Sequence, residues 1–89
     1  MAKYIMWGSY CDDVLTKREP YRQAHLDGLA QQKASGVLIT IGPTSDITKV
    51  FGIYEAENID KVHQLIESDP YWQNRIWTEY FVQEWIQAF

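Results

Sequence analysis

The stretch GVLITIGPTSDITKVFGIYEAEN, residues 36–58, decides the fold of this 89-residue chain. Gly36 is typical of a helix C-terminus, and the mostly β-branched run Val37–Ile41 is typical of a central strand. The polar segment Gly42–Asp46 predicts a turn, and Thr48–Ala56 predicts a further strand after it. The stretch therefore predicts two consecutive strands of an antiparallel sheet, preceded by a helix.

Downstream, the sequence predicts a second helix and a last strand. Asn58 is a typical N-cap. The apolar residues that follow it at helical spacing are Ile59, Val62, Leu65 and Ile66. Asp69 ends this helix, because a residue before proline disfavours the helical region of backbone conformations. The alternation over Thr78–Ile86 predicts the final strand.

Upstream, Tyr4–Gly8 predicts the first strand and Ser9–Lys17 a polar turn. The first helix begins near Glu19-Pro20, although Thr16 and Glu19 also have the spacing of a capping box, so its start stays open. Its predicted buried stripe consists of Leu26, Leu29 and Ala30. The resulting order β-α-β-β-α-β predicts an α+β, ferredoxin-like fold: a four-stranded antiparallel sheet with both helices on one face.

The last strand carries large apolar side chains on both sides. Simple alternation places Trp77, Phe81 and Trp85 on one face and Tyr80, Val82 and Ile86 on the other. Helices cover only one sheet face in this topology, so the second apolar face predicts a homodimer with the sheets packed face to face. The alternative is a monomer whose exposed aromatic face binds another molecule.

Composition narrows the class of protein. A net charge of -4 argues against nucleic acid as a partner, and no segment has the ~20 apolar residues that span a membrane. Cys11 is the only cysteine, so neither an intrachain disulfide nor a cysteine metal cluster is expected. The N-terminus lacks a signal-peptide pattern, and no linker or repeat divides the chain. We expect a cytoplasmic protein with one domain over residues 1–89.

His25 is the candidate general base of the first helix. It lies at the margin of the predicted stripe, where one ring nitrogen can face a cavity and the other a protein partner. The alternative is a partly exposed histidine at the edge of the core. Arg22, one turn earlier, is a candidate for binding an anionic substrate, or else a surface residue paired with Glu19 or Asp27. His63 is expected to be a solvated helix residue.

Asp69 has two possible roles. It can form a turn through its own backbone, or it can accept a hydrogen bond from an imidazole and stabilise the protonated ring. No residue spacing in the chain suits zinc, and no glycine-rich phosphate loop follows a strand. We therefore expect neither a metal nor an organic cofactor.

These features together resemble the YciI-like family. The resemblance covers nearly the whole chain. It rests on Arg22-x-x-His25-Leu26-x-x-Leu29, Gly42-Pro43 and Asp69-Pro70-Tyr71. It implies a dimeric α/β barrel with a pocket in each protomer and a His25–Asp69 catalytic pair. One branch is similar to enzymes that remove chloride from chlorinated hydroxyaromatic compounds, and the fold is shared with muconolactone-isomerase-like proteins. The chain departs from the family at Trp72–Arg75, where a small Ala-Gly pair is usual, and bulky residues there are expected to reshape the pocket.

The resemblance leads to a prediction of function. A lyase or isomerase would use His25 to take a proton from a small anionic or phenolic substrate, while Asp69 stabilises the imidazolium. Arg22 would balance substrate charge, and Tyr71 would donate to a developing oxyanion or simply pack. Two alternatives remain: a non-catalytic module that binds a small metabolite through the same pocket, and an interaction protein that docks a partner on the face of Trp77 and Phe81.

Overall fold

The computed structural model describes all 89 residues. Four strands and four α-helices follow one another, with a short 3₁₀ helix at Glu19–Tyr21. In chain order the strands and α-helices are β1 (Ala2–Tyr10), α1 (Val14–Lys17), α2 (Arg22–Ser35), β2 (Leu38–Pro43), β3 (Lys49–Ala56), α3 (Ile59–Glu67), α4 (Pro70–Gln73) and β4 (Trp77–Trp85). The short helices α1 and α4 were not predicted.

The strands form one antiparallel sheet in the order β2-β3-β1-β4. The long helices α2 and α3 pack on it, which confirms the predicted α+β, ferredoxin-like arrangement. The prediction that Val37–Ile41 forms a central strand was wrong, because β2 pairs only with β3 and lies at an edge. A register shift between Leu38 and Thr40 interrupts this pairing. A run of β-branched residues therefore indicates a strand but not its place in the sheet.

The core lies between the sheet and the helices. On β1, Tyr4 and Met6 are buried on one face, and Tyr4 pairs with the buried Tyr54 of β3. Val62 and Ile66 of α3 are fully buried over them. The residues of this cluster are Tyr4, Met6, Val14, Leu38, Val50, Tyr54, Ala56, Val62, Ile66, Tyr71, Ile76 and Trp77. The helix-covered face is thus the folding core, and it also contains the aromatic residues around His25.

Two helix ends follow the predicted rules. Gly36 caps α2 in the left-handed conformation with φ 88°, which glycine adopts without steric cost. The Asn58 side chain accepts a hydrogen bond from the Lys61 backbone N–H at 2.9 Å and so caps α3. Both ends confirm the predicted boundaries of the segment 36–58.

No helix has the length and apolar character that crossing a bilayer would need.

The buried stripe predicted for α2 was wrong. Leu26 is 42% exposed, Ala30 is exposed and Leu29 is only partly buried. The one buried residue of the helix is His25. The inward side instead follows His25, Leu29 and Gln32, which are spaced by four and three residues along the helix. Helix α2 packs the side that carries His25 against the core, because His25 has a buried charged partner on another element.

The faces predicted for β4 were also wrong at one end. The register of β1 with β4 shifts between Ser9 and Tyr10, so that Thr78 is an extra residue in β4. This bulge moves Trp77 onto the helix-covered face, whereas Phe81 stays on the opposite face beside Trp7. Gly8 permits the close approach of β4 here, since a Cβ at this residue would lie 2.8 Å from the Glu79 carbonyl oxygen.

The second face of the sheet, opposite the helices, carries a group of large apolar side chains. The side chains on this face include Ile5, Trp7, Phe51, Ile53, Phe81 and Trp85. Trp7 and Phe51 meet edge to face with ring centroids 6.1 Å apart, and Phe81 is 51% exposed. We call these six residues the open sheet face. In the single chain no other element covers them.

Candidate active site

His25 and Asp69 form a buried pair. The Nδ1 atom of His25 lies 2.7 Å from Oδ1 and 2.9 Å from Oδ2 of Asp69, although 44 residues separate the two in sequence. Each residue is only 6% exposed. Burial removes the water that would otherwise screen the pair and solvate its groups, so the contact between the two side chains is strong and closely defined in geometry.

Helix ends place both side chains. His25 lies in the first turn of α2, which follows directly on the Glu19–Tyr21 3₁₀ helix. Asp69 is the N-cap of α4, where Oδ1 accepts a hydrogen bond from the Tyr71 backbone N–H at 2.8 Å. The two roles considered for Asp69 are therefore combined, because one carboxylate both caps a helix and contacts the imidazole.

The pairing defines which nitrogen of His25 is free. An ionised carboxylate only accepts hydrogen bonds, so Asp69 favours the tautomer with the proton on Nδ1. The other nitrogen, Nε2, has no hydrogen-bond partner in the protein and is not among its fully buried polar atoms. A neutral imidazole held in this way presents an available base at Nε2.

Aromatic rings enclose His25. The Tyr71 ring stacks on the imidazole with centroids 3.6 Å apart and planes 6° from parallel. Trp77 meets the imidazole edge to face, with centroids 5.3 Å apart. Sequence reasoning placed Trp77 on the opposite face of the sheet, and no local pattern indicated the bulge that brings it here. The rings restrict the imidazole to one orientation.

Three tyrosines lie close enough to the Asp69 carboxylate to be affected by its charge. Burial raises the pKa of Tyr10, Tyr54 and Tyr71, and the negative charge of Asp69 raises each of them further. The phenols therefore stay neutral at physiological pH and remain hydrogen-bond donors. Tyr10 was placed in a turn by the sequence and instead ends β1, next to Trp77.

Two arginines lie on the Tyr71 side of the site. Arg18, through its charge, and Arg22, whose side chain approaches the hydroxyl, both lower the pKa of Tyr71, against the larger effect of its burial. The Arg22 side chain does not reach hydrogen-bond geometry with that hydroxyl. Arg22 makes no ion pair with Glu19 or Asp27; Asp27 instead accepts a hydrogen bond from Gln23 at 2.8 Å. The surface pairing considered for Arg22 is thus absent. Arg18 was not singled out in the sequence, because it precedes the helix that carries the recognisable spacing.

His63 lies in a second, separate cluster. It is half-buried rather than solvated, and its Nδ1 lies 2.6 Å from the hydroxyl of Tyr80. That hydroxyl donates to the exposed Glu67 at 2.5 Å. Burial, together with the Glu67 carboxylate, raises the pKa of Tyr80. The expectation of a freely solvated His63 was therefore wrong, because β4 supplies it with a partner.

The bulky segment Trp72–Arg75 makes no hydrogen bond or ring contact with His25. The Trp72 ring packs edge to face on Tyr80, with centroids 4.9 Å apart. Gln73, Asn74 and Arg75 are exposed. Arg75 has φ 57°, a left-handed conformation that favours small residues. In addition, no three His, Cys, Asp or Glu side chains are grouped closely enough to hold a metal ion.

Comparisons with known proteins agree with this description. A sequence model described as YCII-related domain matches residues 2–86. The solved structure of 5-chloro-2-hydroxyhydroquinone dehydrochlorinase from Burkholderia phenoliruptrix, in complex with 2,5-dihydroxybenzoquinone, is 27% identical to this chain. It superimposes with a TM-score of 0.83 over 97% of this chain and 95% of that one.

A more distant structure shows the fold alone. Protein Atu4242 from Agrobacterium tumefaciens is 14% identical, with a TM-score of 0.59 over 99% of this chain and 94% of the other. A comparison with curated protein sequences found no match. The match over residues 2–86 and the ferredoxin-like structure together show that the chain belongs to the YCII-related domain family.

Proposed function

We propose that this protein is a small-molecule lyase or isomerase that works by general acid–base catalysis at His25. The observation that carries the proposal is the buried contact of 2.7 Å between His25 Nδ1 and Asp69 Oδ1, which leaves Nε2 without a protein partner. The likeness to a dehydrochlorinase supports it, because loss of hydrogen chloride also requires a group that accepts a proton.

The proposed step begins with His25 Nε2 taking a proton from an acidic O–H or C–H group of the substrate. The ring becomes an imidazolium, and the Asp69 carboxylate stabilises its charge. The electron pair left on the substrate either expels a leaving anion, as a lyase does, or is protonated elsewhere by the same imidazolium, as an isomerase does. Tyr71 stays stacked on the ring and keeps Nε2 directed at the substrate.

The proposed substrate class is a small ring compound with an acidic hydroxyl or carboxyl group. Arg18 and Arg22 supply positive charge on the Tyr71 side of His25, where Arg22 balances the substrate's negative charge. The aromatic walls formed by Tyr71 and Trp77 suit a flat ring. The similar dehydrochlorinase was solved in complex with a hydroxylated quinone, which belongs to this class.

The test measures turnover of chlorinated hydroxyhydroquinones and small lactones by wild type, His25→Ala and His63→Ala. A general base contributes about 10²–10⁴-fold to rate, so we expect His25→Ala to lose at least that much and His63→Ala to stay near wild type. Equal losses in the two variants would contradict the proposal. Saturable binding of these compounds without any product would instead support a non-catalytic binding module.

Asp69→Asn tests the role of the carboxylate. The Asn oxygen can keep the Tyr71 N–H bond and the 2.7 Å contact with His25 Nδ1, but an amide nitrogen replaces Oδ2, which lies 2.9 Å from the same Nδ1. A donor then stands beside the protonated nitrogen and the stabilising negative charge is gone, so we expect turnover to fall by about 10²-fold or more. Glu67→Gln is the matched control, since Glu67 reaches His63 only through Tyr80.

We also propose that the protein is a homodimer that buries the open sheet face. Large aromatic side chains on this face, including Phe51 and Phe81, are exposed in the single chain, and a second copy would cover them. Light scattering at micromolar concentration should give about twice the chain mass of 10.5 kDa. Phe81→Glu should reduce the mass to that of one chain, whereas Leu26→Glu on the outer side of α2 should not. A monomeric wild type would refute the dimer.

A further inference from the structure

Three hydrogen-bond donors near His25 have no partner in the folded chain. The buried polar atoms without a hydrogen bond include Arg18 Nε, Tyr71 Oη and Trp77 Nε1. The fourth such atom, Gln32 Oε1, lies two helical turns from His25 along α2. Trp77 and Tyr71 are 1% and 2% exposed, so bulk water does not readily reach either group. An unpaired buried donor is costly, so each of the three unpaired donors is available to an acceptor that enters the site.

The three donors border one region. The Tyr71 and Trp77 rings meet edge to face with centroids 5.8 Å apart, and both contact the His25 ring. Arg18 is close enough to Tyr71 and Tyr10 to affect both phenols electrostatically. Trp77 also lies near Tyr10, yet its N–H does not reach hydrogen-bond geometry with that phenol. The bulge in β4 is what turns Trp77 toward this group.

All three unpaired groups can donate a hydrogen bond. Trp Nε1 and Arg Nε only donate, and a Tyr hydroxyl can donate as well. The only carboxylate beside them, Asp69, is already occupied by His25 and the Tyr71 backbone N–H. A site with several donors, the positive charges of Arg18 and Arg22 and no free carboxylate favours an ionised oxygen over a neutral ether oxygen, which accepts hydrogen bonds more weakly.

We propose that Trp77 Nε1 and Arg18, with Tyr71 Oη, bind an ionised oxygen of a ring substrate and so make the site selective for ionised hydroxy-substituted rings over their ethers. The inference rests on the proposed function, because it places the substrate against His25. It adds to that function a binding role for Trp77, whose indole otherwise serves only as part of the core.

The experiment compares two quinones that have the same ring and the same oxygen positions. The probes are 2,5-dihydroxybenzoquinone, which is ionised at neutral pH, and 2,5-dimethoxybenzoquinone, which cannot ionise. Calorimetric titration of wild type should show at least about 100-fold tighter binding of the dihydroxy compound. Trp77→Phe keeps a ring but removes the N–H, and should reduce this preference about tenfold. Arg18→Gln should reduce it at least as much.

The controls separate packing from recognition. Trp72→Phe removes an indole N–H that lies outside the site, and Tyr10→Phe removes the hydroxyl next to Trp77; both should keep the wild-type preference. Tyr71→Phe provides a second variant if Trp77→Phe does not fold, and it should also reduce the preference. An unchanged preference in Trp77→Phe or Tyr71→Phe, or no binding of either probe by wild type at millimolar concentration, would overturn the inference.

Equilibrium binding also keeps this inference separate from catalysis. Selective binding by a wild type that turns over none of the tested compounds would support the donor site and count against the lyase. Loss of turnover in His25→Ala with an unchanged preference in Trp77→Phe would support the lyase and count against the donor site. The two proposals can therefore fail independently.

Discussion

The His25 and His63 clusters contain the same kinds of groups in different surroundings. In each, a helical histidine makes a hydrogen bond through Nδ1, and a tyrosine ring and a carboxylate lie close by. At His25 the carboxylate of Asp69 contacts the imidazole directly, and both residues are 6% exposed. At His63 a tyrosine hydroxyl stands between the imidazole and the exposed Glu67.

The difference teaches that burial, rather than residue type, sets the surroundings of the two histidines apart. Water and salt weaken the exposed cluster, whereas the buried pair keeps its full electrostatic interaction. The tyrosines differ in the opposite sense, because the Tyr80 hydroxyl has two partners and the Tyr71 hydroxyl has none. The buried cluster thus keeps unpaired donors, whereas the Tyr80 hydroxyl of the other cluster is engaged on both sides.

The largest expected contrast is between the two carboxylates. Asp69→Ala leaves a buried imidazole without its partner and removes the N-cap of α4, so we expect a loss of about 3–5 kcal/mol in the free energy of unfolding. Glu67→Ala should cost about 1 kcal/mol or less, because Glu67 is exposed. Urea denaturation of both variants measures this. Losses of the same size would mean that the two clusters do not differ in the way their burial indicates.

For Tyr80 and Tyr71 we expect the opposite order of stability losses, with the larger loss in the His63 cluster. Tyr80→Phe removes a hydroxyl that donates to Glu67 and contacts His63, so we expect a loss of about 1–3 kcal/mol. Tyr71→Phe removes a hydroxyl without a partner and should change stability by about 0.5 kcal/mol or less. Thermal and urea denaturation of the ligand-free variants test this. A larger loss for Tyr71→Phe would show that its hydroxyl is bonded in solution.

The smallest expected effect is on the pKa values of the Tyr71 and Tyr80 phenols. Both are raised mainly by burial, but Glu67 raises the pKa of Tyr80 while Arg18 lowers that of Tyr71. Neutralising the charged neighbour should therefore move them in opposite directions: Glu67→Gln lowers the pKa of Tyr80, and Arg18→Gln raises that of Tyr71. The near-ultraviolet absorbance of tyrosinate, followed through an alkaline titration, measures both. Shifts of the same sign would contradict the structure.

The raised pKa values also predict how stability depends on pH. An unfolded tyrosine ionises near pH 10, and in the folded protein Tyr10, Tyr54, Tyr71 and Tyr80 ionise at higher pH. Their contribution to stability is thus fully present below about pH 10 and is lost as the pH rises through the folded pKa values. Glu67→Gln lowers the folded pKa of Tyr80 and should reduce the stability that is lost in this range, as denaturation at several alkaline pH values would show.

The sequence alone determined the order of the main elements, because local rules control them. Gly36 and Asn58 end and begin helices through the backbone conformation and hydrogen bonds of their own residues. The pattern over Tyr4–Gly8 predicted strand β1 for the same reason, since successive side chains of a strand point to opposite faces. The spacing of Arg22, His25 and Asp69-Pro70-Tyr71 was enough to indicate the family.

Only the tertiary structure decided which side of α2 faces inward, where Trp77 points, and that β2 lies at an edge. The apolarity of Leu26 predicted the wrong side of the helix, because the contact of His25 with Asp69 outweighs the burial of one leucine. The bulge at Thr78 depends on pairing with Tyr10 and Ser9 of β1, which lie 68 and 69 residues earlier in the sequence, and so leaves no local signal. These features arise from contacts between distant segments, which no periodicity within one segment contains.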